Sequence, residues 1–166
     1  ENIMKAIGFN RPLPVSNPEA LLDIELPEPE LRPHDILVAV QAVSVNPVDV
    51  KVRAAHTSEG GAYRVLGYDA AGIVQAVGSE VRNFQVGDEV YYAGAINRQG
   101  SNAQLQAVDA RIAAKKPRSL DFAQAAALPL TAITAWETLF DRLDVNKPVA
   151  GDANALLLIG GAGGVG

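Results

Sequence analysis

The feature that most restricts the fold of this chain is an apolar run that passes directly into a glycine-rich segment. Ala155–Ile159 is entirely apolar, which is typical of a β-strand covered on both faces in a parallel sheet. In the segment that follows, Gly161, Gly163 and Gly166 have the spacing G-x-G-x-x-G. The glycines of this motif allow a tight turn, close approach of a pyrophosphate and packing of a helix on the strand. The segment therefore predicts the first strand and phosphate-binding turn of a dinucleotide-binding unit.

The same segment predicts which residues bind the cofactor and what should follow them. We expect the backbone of the turn to contact the cofactor at Gly161, Gly163, Gly164, Val165 and Gly166. The helix that receives the phosphates, and the residue about 20 positions further on that separates NAD from NADP, would lie beyond this turn. A complete βαβ unit needs about 30 residues. We therefore expect the chain to be the N-terminal part of a longer protein; the alternative is a flexible glycine-rich tail.

Composition excludes several other classes of protein. Hydrophobic residues make up 48% of the 166 residues, which is enough for a core and argues against disorder. The formal net charge of −5 argues against a nucleic-acid partner. No apolar run approaches the ~20 residues of a membrane span, and no signal peptide is visible, so we expect a cytoplasmic protein that does not bind membranes. The chain has no cysteine, which excludes disulfides, thiolate metal ligands and a cysteine nucleophile.

Hydrophobic patterns predict many short strands followed by helices. Val-rich and alternating segments between prolines and glycines predict strands. These predicted strands are Lys5–Phe9, Asp23–Leu26 (at a sheet edge), Ile36–Val45, Ala70–Val77, Glu89–Tyr92 and Ala103–Val108. Within Ala70–Val77, Gly72 indicates a close backbone approach or a bulge.

Helix signals occur once within this strand-rich part and again after it. Asn46 is predicted to cap a helix that begins at Pro47. Ser119 is predicted to cap a helix through Ala127, and Pro129 to begin a helix that runs to about Leu143. A linker would then cover residues 144–154.

The order of these motifs resembles one family. Gly67–Val74 (GYDAAGIV) and Val86–Val90 (VGDEV) resemble the catalytic domain of medium-chain dehydrogenases/reductases. Ala125–Thr131 and Thr134–Glu137 resemble the helical bridge of the quinone-oxidoreductase branch, and Gly161–Gly166 resembles its cofactor loop. The resemblance covers nearly the whole chain and includes the proteins called zinc-type alcohol dehydrogenase-like. It implies an α+β fold with a β-rich GroES-like domain in residues 1–128 and the start of a Rossmann domain in residues 129–166.

The zinc ligands of that family are not matched here. Its metal-dependent members hold a catalytic zinc with cysteine and histidine, and the corresponding positions in this chain carry Asn46, Tyr68 and Leu130. The four-cysteine structural zinc loop is also missing, and His34 and His56 lie far apart in the sequence, in predicted loops. We therefore expect no zinc, because zinc needs several converging N, S or O ligands. The resemblance implies NADPH as the cofactor, with NADH possible, and a homodimer when the protein is complete.

The missing Lewis acid favours one reaction class, because nothing would lower the pKa of an alcohol hydroxyl. Reducing a quinone or enone asks less of the protein: a hydride arrives from the nicotinamide, and hydrogen-bond donors stabilise the charge that develops on the substrate oxygen. We expect Asn46 and Tyr68 to supply those donors. Tyr63 and Asp49 are candidates for the substrate pocket, and Thr134 resembles a position beside the nicotinamide.

Each of these residues also has a purely structural interpretation. The structural alternative is a helix cap for Asn46 and simple packing for Tyr68 and Thr134. For Asp49 it is support of the first helical turn, and for Asp69 it is the acceptance of structural hydrogen bonds. Two other functions stay open at this point: a zinc-dependent alcohol dehydrogenase, and a non-catalytic module that uses the fold for binding.

Overall fold

A computed structural model describes residues 2–146 and 156–166, which form two antiparallel sheets and a few short helices. The strands are β1 (Ile3–Phe9), β2 (Leu22–Pro27), β3 (Asp35–Ser44), β4 (Arg64–Val65), β5 (Asp69–Val77), β6 (Glu89–Ala93), β7 (Leu105–Asp109) and β8 (Ala113–Lys115). The helices are α1 (Pro47–Ala55), α2 (Phe122–Ala126) and α3 (Pro129–Trp136), which continues as a π-helical segment, Glu137–Arg142. Short 3-10 turns cover Glu59–Gly61 and Ala110–Ile112. The expected α+β fold is confirmed.

The two sheets have the strand orders β2-β1-β4 and β7-β3-β5-β6-β8. The predicted edge strand is confirmed, because β2 pairs only with β1, from Ile3 opposite Pro27 to Gly8 opposite Leu22. The small sheet is joined to the segment before β7 by a bridge between Ala6 and Ala103. Sequence patterns did not predict β4 and β8, which have only two and three residues and take their stability from neighbouring strands.

The core lies against the five-stranded sheet and explains the apolar residues of its central strands. Val38, Val74 and Val90 are fully buried in one cluster. Ala71 faces a second, smaller cluster with Ala125 and Ala126 of α2. The first residues of β5 are therefore buried on both faces, because the main core covers one side and α2 covers the other.

Gly72 confirms the predicted close approach of two backbones. A Cβ atom at this position would lie 2.3 Å from the carbonyl oxygen of Ala39 on the neighbouring strand. Only glycine allows β3 and β5 to pack this closely at that point.

Helix starts were predicted correctly for α1 and incorrectly for α2. Asn46 is the N-cap residue of α1, and Pro47 is its first residue. The prediction that Ser119 caps the next helix was wrong, because the N-cap of α2 is Asp121. The Asp121 carboxylate accepts from the Gln124 N–H at 2.7 Å, and the Gln124 side chain accepts from the Asp121 N–H at 3.1 Å. This reciprocal capping box satisfies two N–H groups that Ser119, two residues earlier, does not reach.

The predicted strand Ala155–Ile159 is not formed in the part of it that the structure describes. Ala155, like residues 147–154 of the predicted linker, lies outside the described residues. Leu156–Leu158 have no regular structure, and Leu157 and Ile159 are 87% and 91% exposed. A parallel strand is stabilised by strands on either side and by cover on both faces. None of the described strands lies beside this segment.

Among the described residues, the helices are all too short or too polar to cross a lipid bilayer.

Candidate functional site

The register of two neighbouring strands brings the first candidate residues together. Ser44 at the end of β3 pairs with Asp69 at the start of β5. Asn46 follows two residues after Ser44, so it reaches the same end of the sheet as Asp69. Its side-chain NH2 donates a 2.9 Å hydrogen bond to one carboxylate oxygen of Asp69. Asn46 is 7% exposed and Asp69 is fully buried, so this contact is shielded from water.

Asp49 ties the start of α1 to the segment that carries Tyr68. One of its carboxylate oxygens accepts from the Asn46 N–H at 2.8 Å, and the other accepts from the Gly67 N–H at 3.0 Å. The Asp49 N–H in turn donates to the Asn46 carbonyl at 3.0 Å. Asp49 is buried, and both of its carboxylate oxygens are engaged. It therefore supports the first turn of α1 and holds the residue immediately before Tyr68.

Asp69 is the point at which three elements meet. Its second oxygen accepts from the Leu130 N–H at 2.9 Å, in the first turn of α3. Burial raises the pKa of the Asp69 carboxyl, the nearby charge of Asp49 adds to the rise, and the hydrogen bonds from Asn46 and Leu130 oppose it. The prediction that Asp69 accepts hydrogen bonds is confirmed. Leu130 lies 61 residues away in sequence, so no local pattern could indicate this partner.

Tyr68 lies between Gly67, which donates to Asp49, and Asp69, which accepts from Asn46. Only 1% of the surface of Tyr68 is exposed. Its carbonyl accepts from the Gly94 N–H. Within the described part of the chain its hydroxyl has no hydrogen-bond partner. The other deeply buried tyrosine, Tyr92, differs in this respect, because its hydroxyl donates to Gln106 at 2.8 Å. A buried hydroxyl without a partner is uncommon in a folded protein and suggests a functional explanation.

Two further candidates, Tyr63 and Thr134, lie at the surface and outside this buried group of residues. Tyr63 is 37% exposed, and its carbonyl accepts from the Gln99 side chain at 2.9 Å. No hydrogen bond joins Tyr63 to Asn46 or Tyr68 in the described residues. Thr134 lies on an exposed part of α3, and its hydroxyl donates to the Leu130 carbonyl at 2.8 Å. Thr134 is thus one helical turn from the residue that contacts Asp69.

The glycine-rich segment folds into a tight turn beside the helical region. The Gly163 N–H donates to Gly160 at 2.9 Å, and the Gly166 N–H donates to Gly163 at 3.2 Å. A Cβ atom on Gly166 would lie only 2.4 Å from the Cα atom of Gly161, so this turn requires glycine. Gly164 and Val165 lie within the same turn. A groove of about 420 Å³ separates this turn from side chains of the helical region: Ala135, Thr138 and Leu139.

The side chains near the site differ from a metal-binding set. Among the described residues, no three histidine, cysteine, aspartate or glutamate side chains converge as a metal site would require. His34 forms a surface pair with Glu80 at 3.0 Å, and the ring of His56 contacts Phe9 edge to face. The carboxylates of Asp49 and Asp69 accept hydrogen bonds from protein N–H groups with all of their oxygens.

Comparison with known proteins gives one family match and many similar sequences. Residues 32–118 match the family described as the alcohol dehydrogenase GroES-like domain. A zinc-type alcohol dehydrogenase-like protein of Staphylococcus aureus strain COL is 45% identical over 164 residues, which cover 98% of this chain and 49% of that protein. A 2-methylene-furan-3-one reductase of Solanum lycopersicum is 37% identical over 155 residues, covering 87% of this chain and 38% of that protein. The chain thus spans about half the length, or less, of these relatives.

Solved structures share the same fold. A provisionally assigned zinc-dependent alcohol dehydrogenase of Rhizobium etli CFN 42 has a TM-score of 0.93 and 60% identity, covering 99% of this chain and 48% of that one. The quinone oxidoreductase of Escherichia coli, complexed with NADPH, has a TM-score of 0.66 and 28% identity, covering 81% of this chain and 40% of that one.

Proposed function

The chain belongs to the alcohol dehydrogenase GroES-like domain family of the medium-chain dehydrogenases/reductases, and from this premise we propose what the complete protein does. We propose that it is an oxidoreductase that transfers a hydride from NADPH, or from NADH, to a quinone or to an activated double bond, without zinc. The similarity to the 2-methylene-furan-3-one reductase of Solanum lycopersicum and to the quinone oxidoreductase of Escherichia coli supports this reaction class.

The observation that carries the proposal is the buried, unpartnered hydroxyl of Tyr68. Hydride addition to a quinone or enone places negative charge on the substrate oxygen, and a hydrogen bond to that oxygen stabilises the transition state more than the ground state. The Tyr68 hydroxyl has a hydrogen to donate and no protein acceptor among the described residues. Asn46 is the second proposed donor, since its NH2 group has two hydrogens and Asp69 accepts one of them.

The cofactor would be held by the glycine turn and α3. When bound, the nicotinamide supplies the hydride. We assign the pyrophosphate to the backbone of this turn, at Gly161, Gly163, Gly164, Val165 and Gly166, because the absence of side chains at the glycines lets a phosphate approach the chain closely. We place Thr134 near the nicotinamide, since it lies on the helical region that lines the groove beside this turn. The NADPH in the Escherichia coli structure supports NADPH as the cofactor.

Independence from zinc is proposed on the chemistry of the side chains. By the family resemblance, Asn46 and Tyr68 would occupy positions where zinc-dependent members have ligands, and a neutral amide and a phenol bind zinc poorly. Asp49 and Asp69 could otherwise serve, but both use their oxygens for protein N–H groups. The alternative, a zinc-dependent alcohol dehydrogenase, is favoured by the names of similar proteins from Staphylococcus aureus and Rhizobium etli.

The remaining candidates have supporting places in this proposal. Asp49 would shape the substrate pocket indirectly, by fixing Asn46 and the segment before Tyr68. Tyr63 would line the pocket entrance with its half-exposed ring. We propose further that the complete protein is a cytoplasmic homodimer with no nucleic-acid or membrane partner.

The test uses the full-length protein with NADPH and either a benzoquinone or methyl vinyl ketone. Tyr68→Phe removes one donor and should lower kcat about 100-fold or more. Tyr92→Phe is the matched control, because it removes a buried hydroxyl of the same domain that the proposal does not use. Treatment with a chelator should leave the activity intact. Metal analysis of the purified protein should find no stoichiometric zinc. Unchanged turnover in Tyr68→Phe, or alcohol oxidation that depends on bound zinc, would contradict the proposal.

A further inference from the structure

We propose that Asp69 is a positioning residue that fixes the Asn46 amide and the first turn of α3 in a single arrangement. Its consequence for catalysis rests on the function proposed above, while its structural part does not. Asp69 lies at the start of β5 and has no exposed surface. Its two oxygens accept one hydrogen bond each, from Asn46 and from Leu130, both at 2.9 Å. One carboxylate therefore connects the substrate side of the site to the helix beside the cofactor turn.

The bond from Asn46 determines which way its amide faces. A carboxylate oxygen only accepts hydrogen bonds, so the NH2 group of Asn46 must face Asp69 and its carbonyl oxygen must face away. The second N–H of the same group then has a fixed direction as well. If Asp69 were replaced by a group that donates, the Asn46 amide would have to rotate, and the donor proposed for the substrate oxygen would move with it.

The bond from Leu130 supplies a cap that α3 lacks in its own sequence. The first N–H groups of a helix have no partner within the helix, and a side chain at the N-cap usually accepts from one of them. The N-cap of α3 is Leu128, which makes no such bond, and Pro129 has no N–H. Asp69 accepts from Leu130 instead, from a strand 61 residues earlier. Its negative charge also suits the positive end of the helix.

Burial and a neighbouring carboxylate act against the ionised form of Asp69. Burial has the larger effect and the like charge of Asp49 adds to it, so both raise the pKa of Asp69. The hydrogen bonds from Asn46 and Leu130 oppose this rise. An ionised carboxylate in this position is therefore held in place by its two donors, and each donor is oriented by the carboxylate.

A swap of side chains tests this geometry. Asp69→Asn keeps the shape of the side chain but replaces one acceptor by a donor, so it keeps the contact with Leu130 only if its NH2 group faces Asn46 and the Asn46 amide rotates to accept from it. The double variant Asn46→Asp with Asp69→Asn keeps both contacts with the direction at position 46 reversed, since the new carboxylate at position 46 accepts from the new amide at position 69. The amide oxygen at position 69 then still accepts from Leu130.

The first measurement is hydrogen–deuterium exchange of residues 128–136 in the full-length protein. We expect Asp69→Ala, which removes both acceptor oxygens, to speed exchange there at least about tenfold, and the double variant, which keeps both contacts, to retain protection. Asp109→Asn, at a surface pair with Arg111 away from α3, is the control and should leave this exchange unchanged. Unchanged exchange in Asp69→Ala, or fast exchange in the double variant, would overturn the proposal. If Asp69→Ala does not fold, a folded double variant with protected α3 supports it, and an unfolded one overturns it.

The second measurement is quinone reduction with NADPH. Asp69→Asn should lower kcat with little change in the KM for NADPH, because it turns the Asn46 donor away. The double variant should have a low kcat although α3 is protected, because the side chain at position 46 no longer has an NH2 group to donate. Normal kcat in a folded Asp69→Asn variant would overturn the positioning role. If the wild-type protein reduces neither substrate, the proposed function fails, and the exchange data still decide the structural link.

Discussion

Arg98 places two guanidinium nitrogens on the buried carboxylate of Asp35, at 2.9 and 2.6 Å. Asp35 is the first residue of β3, and Arg98 lies in the loop between β6 and β7. This paired hydrogen bonding therefore holds the loop onto the five-stranded sheet. The Arg98 side chain keeps the pKa of the Asp35 carboxyl below its ordinary value, although burial acts in the opposite direction. The pair is the basis of two predictions.

Arg98→Met should lower the free energy of unfolding by about 3 kcal/mol. Removing one partner leaves the other as an unpaired buried charge, and the estimate is at the low end for buried pairs because Arg98 is partly exposed. Urea unfolding of the chain near neutral pH measures the change. Arg111→Met is the matched control: it breaks a similar pair with Asp109 at the surface, where solvent screening leaves little effect. Equal losses in the two variants would contradict the prediction.

The difference in stability between the wild type and Arg98→Met should shrink as the pH falls. In the wild type the pKa of Asp35 is lowered by folding, so its contribution is present above the ordinary value of 3.8 and is lost as the pH drops through the folded-state value. In the variant, a buried unpaired carboxylate gains stability when it is protonated. Urea unfolding at several pH values between about 7 and 3.5 measures the difference. A difference that is constant or grows with acid would show that Asp35 does not carry the effect.

Gly67→Ala should destabilise the chain more than Gly87→Ala. Both glycines have positive φ, 103° and 91°, and alanine is strained in either place by about 1 kcal/mol. At Gly67 an added Cβ would also lie 2.4 Å from the Ser101 hydroxyl, whereas nothing lies within 4 Å at Gly87. Overpacking of this kind adds about 1–3 kcal/mol. Thermal unfolding of the two variants tests the difference, and equal shifts would mean that the Ser101 contact relaxes freely.

Tyr68→Phe should leave the free energy of unfolding unchanged or slightly raised. The hydroxyl is buried without a partner in the described chain, so its removal breaks no hydrogen bond there. Tyr92→Phe should cost about 1–3 kcal/mol, because it leaves the buried Gln106 side chain without its donor. Unfolding in urea compares the two. A large loss in Tyr68→Phe would indicate a structural bond for this hydroxyl and would weaken its assignment as a substrate donor.

Local patterns were sufficient where local forces determine the structure. The alternating residues of β2, the valines of β3 and the Asn46-Pro47 pair each specify an element through backbone preference and side-chain spacing. The same reasoning failed at Ser119, because Asp121 competes for the cap and has a reciprocal partner in Gln124. It also failed at residues 156–159, because an apolar run becomes a strand only when other strands bond to it.

The candidate site shows most clearly which features follow from the sequence and which follow from the tertiary structure. The sequence alone determined the β-rich architecture and the family resemblance, and that resemblance implies that Asn46 and Tyr68 stand where metal-dependent members have zinc ligands. Tertiary structure alone decided that Asn46 and Leu130 both donate to the buried carboxylate of Asp69. It also decided that the hydroxyl of Tyr68 has no hydrogen-bond partner among the described residues. The physical reason is that these contacts depend on the register of β3 against β5 and on the docking of α3. Both join residues far apart in the chain, whose pairing leaves no periodic signal in the sequence.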